Sequence, residues 1–467
     1  NATYLFNVAL LCVVYGFIFW WKAGGLVPEG TGNKDIHMFK YKDLQLIYDV
    51  NSGSLHVVDN LGWEVVAALA GGCTKEKVLS LLQGRYPPAE VKNALQQVEQ
   101  LQREKCLFAP EPVVDQSRFF SFGVRALCLF ISHDCNLSCR YCFTQRDPGQ
   151  RLPHMTWEVG KKAVDLLLEQ KGGRHREIDF FGGEPLLNFP LIKKIVSYAR
   201  QQADRRGLEF EFTLTTNATL LDAVKGDFLN LEDMNVILSL DGRPRIQDLM
   251  RSYKDGRGSY QRTVKNIVKF LQSRHKENYY IRGTYTRNNL DFCRDIEHFL
   301  SLGFDSLSLE PVVSQGESYT IRESDLPAIK QEYERLVDLY LAQLKADNPF
   351  HFYHFALDLE KGPCLYKRLS GCGAGVDYLA VAADGSLYPC HQFVGLDDFY
   401  MGNVTQEPFV LQRDIGERMA AASATREPCA DCWARFLCGR GCAATAYFVE
   451  GELHKASALN CNLPQMR

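Results

Sequence analysis

The chain has 467 residues, enough for two or three domains that each bury a core. Its formal net charge of −3 at pH 7 gives no electrostatic basis for binding nucleic acid or an acidic membrane surface. The 16 cysteines gather mainly in two regions, as metal ligands do, whereas a secreted disulfide framework spreads its cysteines along the chain. This distribution indicates a metal-binding protein of a reducing cytoplasm.

Residues 1–35 differ in character from the rest of the chain. Residues 2–21 carry no charge and are apolar and aromatic enough to span a bilayer, with Lys22 at one boundary. No basic segment precedes them, which disfavours a signal peptide. Two interpretations stay open: an N-terminal membrane anchor followed by a flexible linker, or an extraneous segment that results from a misplaced gene start.

Residues 36–110 predict a small α+β domain. Leu44–Val50 and Leu55–Asp59 are β-rich runs that a turn at residues 51–54 separates. Helical patterns follow, at residues 62–69, 75–82 and 89–105. Two strands followed by three helices form a winged-helix-like unit, and because these helices carry no cluster of Lys and Arg, DNA binding is disfavoured. Residues 111–124 are a predicted linker to the next domain.

Between residues 125 and 345 apolar strand patterns alternate with helical patterns. Six strands are predicted, at residues 127–131, 178–181, 210–215, 236–240, 279–284 and 306–309. Helices are predicted between and after them, including residues 157–170, 190–206, 260–274, 292–302 and 324–344. This alternation predicts a parallel sheet with right-handed crossovers. In such folds ligands bind at the C-terminal ends of the strands.

A cysteine-rich loop follows the first of these strands. Cys135, Cys139 and Cys142 have Cys-x3-Cys-x2-Cys spacing. Three thiolates can hold three corners of a [4Fe–4S] cluster, which normally takes four cysteines, so one iron keeps an open position. An open metal position is typical of a catalytic centre. Three core cysteines without a metal, or an incomplete zinc loop, are disfavoured because His133 is too near in sequence to complete the loop.

Short polar segments follow the next three strands. Gly182-Gly183-Glu184-Pro185 comes after the second strand, where two glycines would let the backbone approach a ligand and Glu184 could accept hydrogen bonds from an ammonium group. Residues 215–217 end the third strand and residues 239–242 end the fourth. Each segment would be an ordinary turn on its own, so their joint position at the strand ends makes them site candidates.

A second cysteine group lies in residues 346–467. Its members are Cys364, Cys372, Cys390, Cys429, Cys432, Cys438, Cys442 and Cys461. Asp384-Gly385 predicts a tight hairpin turn between residues 378–381 and 387–388. Eight cysteines can ligate two four-cysteine clusters, and two zinc sites compete with this interpretation on spacing alone. The remaining cysteines are expected to be small buried thiols: Cys12, Cys73, Cys106, Cys128 and Cys293.

Together, these motifs resemble those of radical S-adenosylmethionine (SAM) enzymes that carry a SPASM iron–sulfur domain. The resemblance implies a partial (β/α)6 barrel at residues 125–345 and a SPASM domain at residues 346–467. Preceded by a winged-helix-like peptide-recognition domain, this order is most similar to that of the maturases of SCIFF peptides (six cysteines in forty-five residues).

The resemblance also implies which residues hold the cofactors. SAM would bind the open iron of the cluster on the first three cysteines, with contacts from Phe143, Gly182, Gly183, Glu184, Asn217, Ser239 and Arg251. Among these, Phe143 would lie near the adenine, Glu184 at the amino group and Arg251 at the carboxylate. Asn217 and Ser239 would lie near the ribose. Ala218 departs from the family pattern, because many relatives have glycine there.

The family pattern divides the second cysteine group between two auxiliary [4Fe–4S] clusters. The first would take Cys364, Cys372, Cys390 and Cys442. The second would take Cys429, Cys432, Cys438 and Cys461. In some maturases the first auxiliary cluster keeps an open iron for substrate, in which case Cys364 is the ligand in question. The implied cofactors are therefore SAM and three [4Fe–4S] clusters.

In the resembled family, SAM is cleaved to methionine and a 5′-deoxyadenosyl radical, which abstracts hydrogen from a peptide. The implied reaction is a thioether crosslink between a cysteine and a backbone carbon of a cysteine-rich precursor peptide, whose leader adds a strand to the edge of the N-terminal hairpin. An electron donor such as flavodoxin or ferredoxin would be a second partner. Two alternatives remain: a sulfatase-maturase-like enzyme that oxidises Cys or Ser, and a non-enzymatic iron–sulfur electron carrier or scaffold.

Overall fold

The computed structural model describes residues 33–112, 123–145, 153–274, 278–356, 371–427, 429–456 and 461. The apolar segment 2–21, most of the linker, Cys12 and Cys364 lie outside these residues. Within the described ranges, no helix has both the length and the apolar character that crossing a bilayer requires.

The N-terminal domain contains a three-stranded antiparallel sheet in the order β1-β2-β3. The strands are β1 (Ile36–Tyr41), β2 (Leu44–Asp49) and β3 (Leu55–Val58). Helices α1 (Asn60–Ala70), α2 (Lys75–Leu82) and α3 (Pro88–Arg103) follow, and the side chains of Asp59 and Thr74 cap the first two. The sequence predicts only two strands here. The additional strand, β1, pairs with β2 along its whole length, and burial of residues from both of its faces obscures the alternating pattern that marks a strand.

The N-terminal sheet packs on both of its faces. Ile36 and Ile47 point into a small core with the three helices. Phe39, Leu46 and Tyr48 point the other way, into the large core of the chain. Because neighbouring strand residues face opposite sides, one sheet contributes to two cores. The winged-helix-like domain is therefore fixed against the rest of the protein.

The central domain is built on six parallel strands, and all six predictions are confirmed. They are β4 (Ala126–Ser132), β6 (His175–Gly182), β7 (Glu209–Thr216), β8 (Asn235–Ser239), β10 (Tyr279–Tyr285) and β11 (Ser306–Pro311). The surrounding helices are α4 (Trp157–Glu169), α5 (Phe189–Arg206), α6 (Ala223–Leu231), α7 (Pro244–Met250), α8 (Tyr260–Gln272), α9 (Cys293–Ser301) and α10 (Leu326–Lys345). The first and last strands pair with other elements and not with each other, so the barrel is partial.

The C-terminal domain extends this sheet beyond the barrel. Strand β13 (Tyr378–Val381) pairs in parallel with β4, then turns antiparallel into β14 (Ser386–Tyr388), which pairs with β15 (Gly402–Asn403). Gly385, at φ +89°, makes the predicted hairpin turn. At the other edge, β12 (His351–Phe352) pairs with β11. Helices α11 (Asp414–Thr425) and α12 (Ala443–Thr445) complete the described part of this domain.

The cysteines outside the two groups divide into two kinds. Cys128 and Cys293 are fully buried in the large core, as predicted. The prediction is wrong for Cys73 and Cys106, which are only partly buried. Both follow the C-terminal end of a helix in the N-terminal domain, where solvent reaches the turn.

Candidate active site

The first cysteine loop is held by a small sheet of its own. Strand β5 (Leu137–Cys139) pairs antiparallel with β9 (Arg251–Tyr253), and Cys139 lies opposite Arg251. The Arg140 amide donates to the Met250 carbonyl at 3.0 Å, beside this sheet. The loop therefore has a fixed position at the C-terminal end of β4.

The thiols of this loop are partly buried and lie close enough to influence one another's ionisation. Burial raises the pKa of Cys135 to about 11 and that of Cys139 to about 12, and the charge of Cys142 raises both further. The Cys135 sulfur accepts hydrogen bonds from the Leu137 amide at 3.4 Å and the Asn217 side chain at 3.7 Å. Three soft thiolate donors on one loop, with N–H groups directed at the sulfur of Cys135, fit a [4Fe–4S] cluster.

The glycines of the Gly-Gly-Glu-Pro segment lie against the cysteine loop. A Cβ atom on Gly182 would lie 2.2 Å from the Ser132 carbonyl oxygen, and one on Gly183 would lie 2.3 Å from that of Asp134. The Gly183 amide donates to the Ser132 carbonyl at 2.7 Å. The close approach that requires glycine is thus between two protein segments, whereas the sequence predicts an approach to a ligand. Contact of Gly182 and Gly183 with SAM stays a prediction.

Glu184 is fully buried between the ends of two strands. Its Oε1 accepts from the Leu186 amide at 3.0 Å and the Thr216 hydroxyl at 2.7 Å, and its Oε2 accepts from the Asn217 amide at 2.8 Å. Burial raises the pKa of Glu184 to about 7, against the effect of these donors. Each carboxylate oxygen can accept two hydrogen bonds, so Oε2 keeps one position for a further donor. The predicted ammonium contact is compatible with this count.

Asn217 faces the cysteine loop. Its Oδ1 accepts from the amide and the hydroxyl of Thr219, and its Nδ2 donates to Asn136 at 3.0 Å as well as to Cys135. These contacts occupy both ends of the side-chain amide that the family resemblance places near a ribose. Ala218 has φ +59°, a left-handed conformation that glycine adopts without strain. Ser239 lies at the C-terminal end of β8 and is 9% exposed, and its ribose contact stays a prediction.

Arg251 belongs to a buried network that no motif in the sequence indicates. Its Nε donates to Asp241 at 2.9 Å, and its guanidinium lies over the Tyr141 ring at 5.4 Å. The Tyr141 hydroxyl donates to the other Asp241 oxygen at 2.5 Å. The network holds the cysteine loop at residue 141, between two of its ligands. Part of the Arg251 guanidinium is thus committed internally, and pairing with the SAM carboxylate stays a prediction.

Phe143 lies between the two cysteine-bearing domains. Its ring stacks on Phe181 at 6.1 Å and contacts the His391 ring at 5.5 Å. His391 follows Cys390 directly in the sequence, so this aromatic group connects the first cysteine loop with the second cysteine group. No local motif indicates this contact of His391.

Three of the four ligands predicted for the first auxiliary cluster lie on neighbouring segments. The Gly375 amide donates to the Pro389 carbonyl at 2.9 Å, which brings the turn after Cys372 beside Cys390. A Cβ atom on Gly371, the residue directly before Cys372, would lie 3.3 Å from the Gly439 carbonyl oxygen. This brings Cys372 near the loop before Cys442. The fourth predicted ligand, Cys364, lies outside the described residues.

The four cysteines predicted for the second auxiliary cluster lie near enough to influence one another's pKa. Burial raises the pKa of Cys438, and Cys429, Cys432 and Cys461 raise it further. Burial likewise raises the pKa of Cys461 to about 11, with the same two cysteines, Cys429 and Cys432, adding to the shift. This donor set fits an iron–sulfur cluster. Across the described ranges, no three His, Cys, Asp or Glu side chains converge as a single-ion site would require.

Two family profiles match the chain. That of the Radical SAM superfamily matches residues 129–291, and that of the SPASM iron–sulfur cluster-binding domain matches residues 372–433. The chain is a radical SAM enzyme with a SPASM domain. These two domains imply SAM and several [4Fe–4S] clusters as its cofactors.

Two relatives illustrate the similarity in sequence. The radical SAM enzyme is 30% identical, over 40% of its length, to an uncharacterised protein of Methanocaldococcus jannaschii, of which it covers 63%. It is 26% identical to a cysteine-type anaerobic sulfatase-maturating enzyme of Clostridium perfringens, over 67% of this chain and 86% of the relative.

Two solved structures have the same fold at low sequence identity. The structure of anSMEcpe with bound AdoMet and Kp18Cys peptide has a TM-score of 0.58, 23% identity and coverage of 69% of this chain and 89% of its own. The structure of Streptococcus suis SuiB bound to precursor peptide SuiA has a TM-score of 0.51, 17% identity and coverage of 92% and 99%. The match with SuiB covers 92% of this chain, which is more than residues 113–467 alone could supply. It therefore extends into the N-terminal domain.

A pH dependence of SAM binding follows from the burial of Glu184. Its pKa of about 7 means that the ionised acceptor for an ammonium group forms as the pH rises through neutrality. We expect SAM affinity, measured by anaerobic equilibrium dialysis, to increase about tenfold between pH 6 and pH 8. Glu184→Gln should bind SAM about tenfold more weakly at pH 8 and show no such rise. A rise of equal size in the variant would exclude Glu184 as the titrating acceptor.

Proposed function

We propose that this radical SAM enzyme forms thioether crosslinks between cysteine sulfurs and backbone carbons of a ribosomally made, cysteine-rich precursor peptide. The observation that carries the proposal is the N-terminal sheet, which has a strand edge for a peptide and is packed directly on the catalytic core. A sheet with these two properties can bind one end of a long substrate while another part reaches the barrel.

The edge strand β3 suits strand addition. In the described part of the chain β3 pairs only with β2, so its outer N–H and C=O groups have no strand partner. Its residues are partly exposed, and Val57 is 45% exposed. Such an edge binds an extended peptide through main-chain hydrogen bonds, and neighbouring side chains supply specificity. The structure of SuiB contains a bound precursor peptide, and its match extends into the N-terminal domain of this chain, which supports the same use here.

The catalytic roles divide among the cysteine groups. Cys135, Cys139 and Cys142 would hold the cluster that binds SAM, and when bound these cofactors supply a 5′-deoxyadenosyl radical. The remaining SAM contacts would come from the strand ends around Glu184. The first auxiliary group, around Cys390, would hold the substrate thiol and accept an electron. Each carbon–sulfur bond formed removes two hydrogens from the precursor, and a reductant such as flavodoxin or ferredoxin would supply the electron for SAM cleavage.

Oxidation of a single Cys or Ser is the alternative, and similarity to the sulfatase-maturating enzymes supports it. The N-terminal domain favours the crosslinking function, because a leader-binding edge is of use only for a substrate with a separate recognition segment. The two reactions differ in what happens to the thiols. Crosslinking consumes them as thioethers, whereas oxidation of one residue leaves the other thiols free.

Mass spectrometry of a co-expressed precursor tests the proposal. The substrate is the short cysteine-rich peptide expected to be encoded beside the gene, co-expressed anaerobically and treated with iodoacetamide. We expect the peptide to lose two hydrogens per crosslink and to gain one fewer alkyl group each time. Co-expression with Cys139→Ala is the control and should leave the peptide unchanged. A product that has lost two hydrogens yet alkylates at every cysteine would contradict crosslinking.

A further inference from the structure

The loop that carries most ligands of the second auxiliary cluster lies against the N-terminal domain. Residues 429–438 contain three of the four predicted ligands, and the side chains of Trp433 and Arg435 extend from this loop to β1 and to the turn after β2. About 400 residues of chain separate the two surfaces, so the contact is purely tertiary. No cluster motif in the sequence indicates it.

Arg435 links a cluster ligand to the N-terminal domain. Its guanidinium is 2% exposed and donates from Nη1 to the Cys432 carbonyl at 3.3 Å. From Nη2 it donates to Asp35 at 2.5 Å and to the Asn51 side chain at 3.0 Å. Asn51 in turn donates to the Ala109 carbonyl at 2.9 Å, at the end of the N-terminal domain. One buried cation therefore joins the backbone of a cluster ligand to both ends of that domain.

Trp433 forms the second part of the contact. Its ring stacks on the His37 ring at 3.9 Å with an angle of 2° between the planes, and Tyr48 packs against its edge at 6.2 Å. His37 is 4% exposed, and burial lowers its pKa to about 3, so the stacked ring is neutral at pH 7. The stack covers one face of Trp433, the residue that directly follows Cys432, and so fixes that side of the ligand loop.

We propose that the N-terminal domain completes the site of the second auxiliary cluster, with Arg435 and Asp35 as positioning residues that fix the Cys432 loop and set the cluster's potential. The inference concerns the cluster assigned to Cys429, Cys432, Cys438 and Cys461 and does not depend on which modification of the substrate peptide the enzyme catalyses. On this proposal the peptide-recognition domain has a second role, because it covers one side of an electron-transfer site.

Two physical effects follow from this arrangement. Outer residues that orient metal ligands affect retention of the metal, and loss of one typically weakens binding by about tenfold or more. Nearby charges also act on a cluster's potential, most strongly where they are buried, as Arg435 is; Asp35 is 32% exposed and acts through its ion pair with Arg435. Removal of the Arg435 charge should make the cluster harder to reduce, and removal of the Asp35 charge should make it easier. A purely structural contact would not produce shifts of opposite sign.

The experiment compares the whole enzyme with Arg435→Gln, Asp35→Asn and Lys34→Ala. Lys34 is the matched control, because its bond to Asp431 lies at the exposed rim of the same contact. Two quantities are measured anaerobically: the rate of iron release to a chelator and the midpoint potential from redox titration followed by electron paramagnetic resonance. Signals of the second cluster are those that Cys461→Ala lacks.

We expect Arg435→Gln and Asp35→Asn to release iron from that cluster about tenfold faster, with potentials shifted down and up respectively. Lys34→Ala should match the parent enzyme in both measurements. Should Arg435→Gln fail to fold, Asp35→Asn alone decides, because it changes a residue of the other domain. Parent-like release and potential in Asp35→Asn, or shifts of the same sign in both variants, would overturn the proposal. Crosslinking activity enters neither readout, so failure here is distinct from failure of the proposed function.

Discussion

Replacing Cys139 with alanine is expected to reduce formation of 5′-deoxyadenosine from SAM to the level of a protein-free control. Cys139 lies at the end of β5, opposite Arg251, and burial raises the pKa of its thiol to about 12. Without it, the two remaining thiols of the loop cannot hold three corners of a cluster. The measurement is chromatography of a dithionite-reduced reaction, together with the iron content of the purified protein.

Cys73→Ala is the matched control for this experiment. Cys73 is a partly buried cysteine of the N-terminal domain, far from both cysteine groups in the sequence. It should keep full iron content and full SAM cleavage. In Cys139→Ala the auxiliary iron should be retained while cleavage is lost. Substantial cleavage by Cys139→Ala would contradict the assignment of the loop as the SAM-cleaving centre.

The second large effect is expected for Gly183→Ala. The new methyl group would lie 2.3 Å from the Asp134 carbonyl oxygen and 2.6 Å from that of His133, so the backbone leading into the cysteine loop must move. Overpacking of this kind typically lowers the free energy of unfolding by about 1–3 kcal/mol. Here the displaced backbone leads directly to the ligand Cys135. We expect loss of the first cluster's iron and of SAM cleavage in an otherwise folded protein, measured by iron assay and circular dichroism.

Gly173→Ala controls for the loss of a glycine as such. A Cβ atom there would meet nothing within 4 Å, and the residue precedes β6 on the opposite side of the barrel from the site. It should leave iron content and SAM cleavage unchanged. Normal cleavage by Gly183→Ala would show that the loop tolerates displacement and that the contact has no role in placing the ligands.

The sequence predicts those parts of the fold that leave a local pattern. Each of the six barrel strands is a short apolar run between helical patterns, which is why all six are found. The hairpin at Gly385 is equally local, because a tight turn needs a residue that tolerates positive φ. Cysteine spacing is local too, so both ligand groups can be recognised before any tertiary contact is known.

Tertiary contacts explain what the sequence does not predict. Strand β1 packs on both faces, so its pattern lacks the polar alternation of a surface strand. The parallel pairing of β13 with β4 joins residues some 250 positions apart, as the 3.3 Å ion pair between Arg125 and Asp377 at its start illustrates. Loop closure over such a distance leaves no trace in local composition.

The same distinction applies within the site. Glu184 has a motif around it, but its three donors show that it also joins the ends of β6 and β7. Asp241 and Tyr141 meet across 100 residues, so their link becomes visible only when the strand ends are brought together. Asn217 differs most from its prediction, because its side-chain amide donates to the sulfur of Cys135 instead of facing a ligand. Motifs identify the neighbourhood, and the packing determines which atoms face the ligand.

Transfer of deuterium from the precursor to SAM-derived product tests the central proposal most directly. The reduced enzyme is supplied with SAM and a cysteine-rich precursor peptide deuterated only at its backbone α-carbons. If the enzyme joins cysteine sulfur to a backbone carbon, 5′-deoxyadenosine gains deuterium and one alkylatable thiol disappears for each label transferred. If 5′-deoxyadenosine forms with the modified peptide yet contains no deuterium, the hydrogen is not taken from an α-carbon, and the proposed bond between sulfur and a backbone carbon is contradicted.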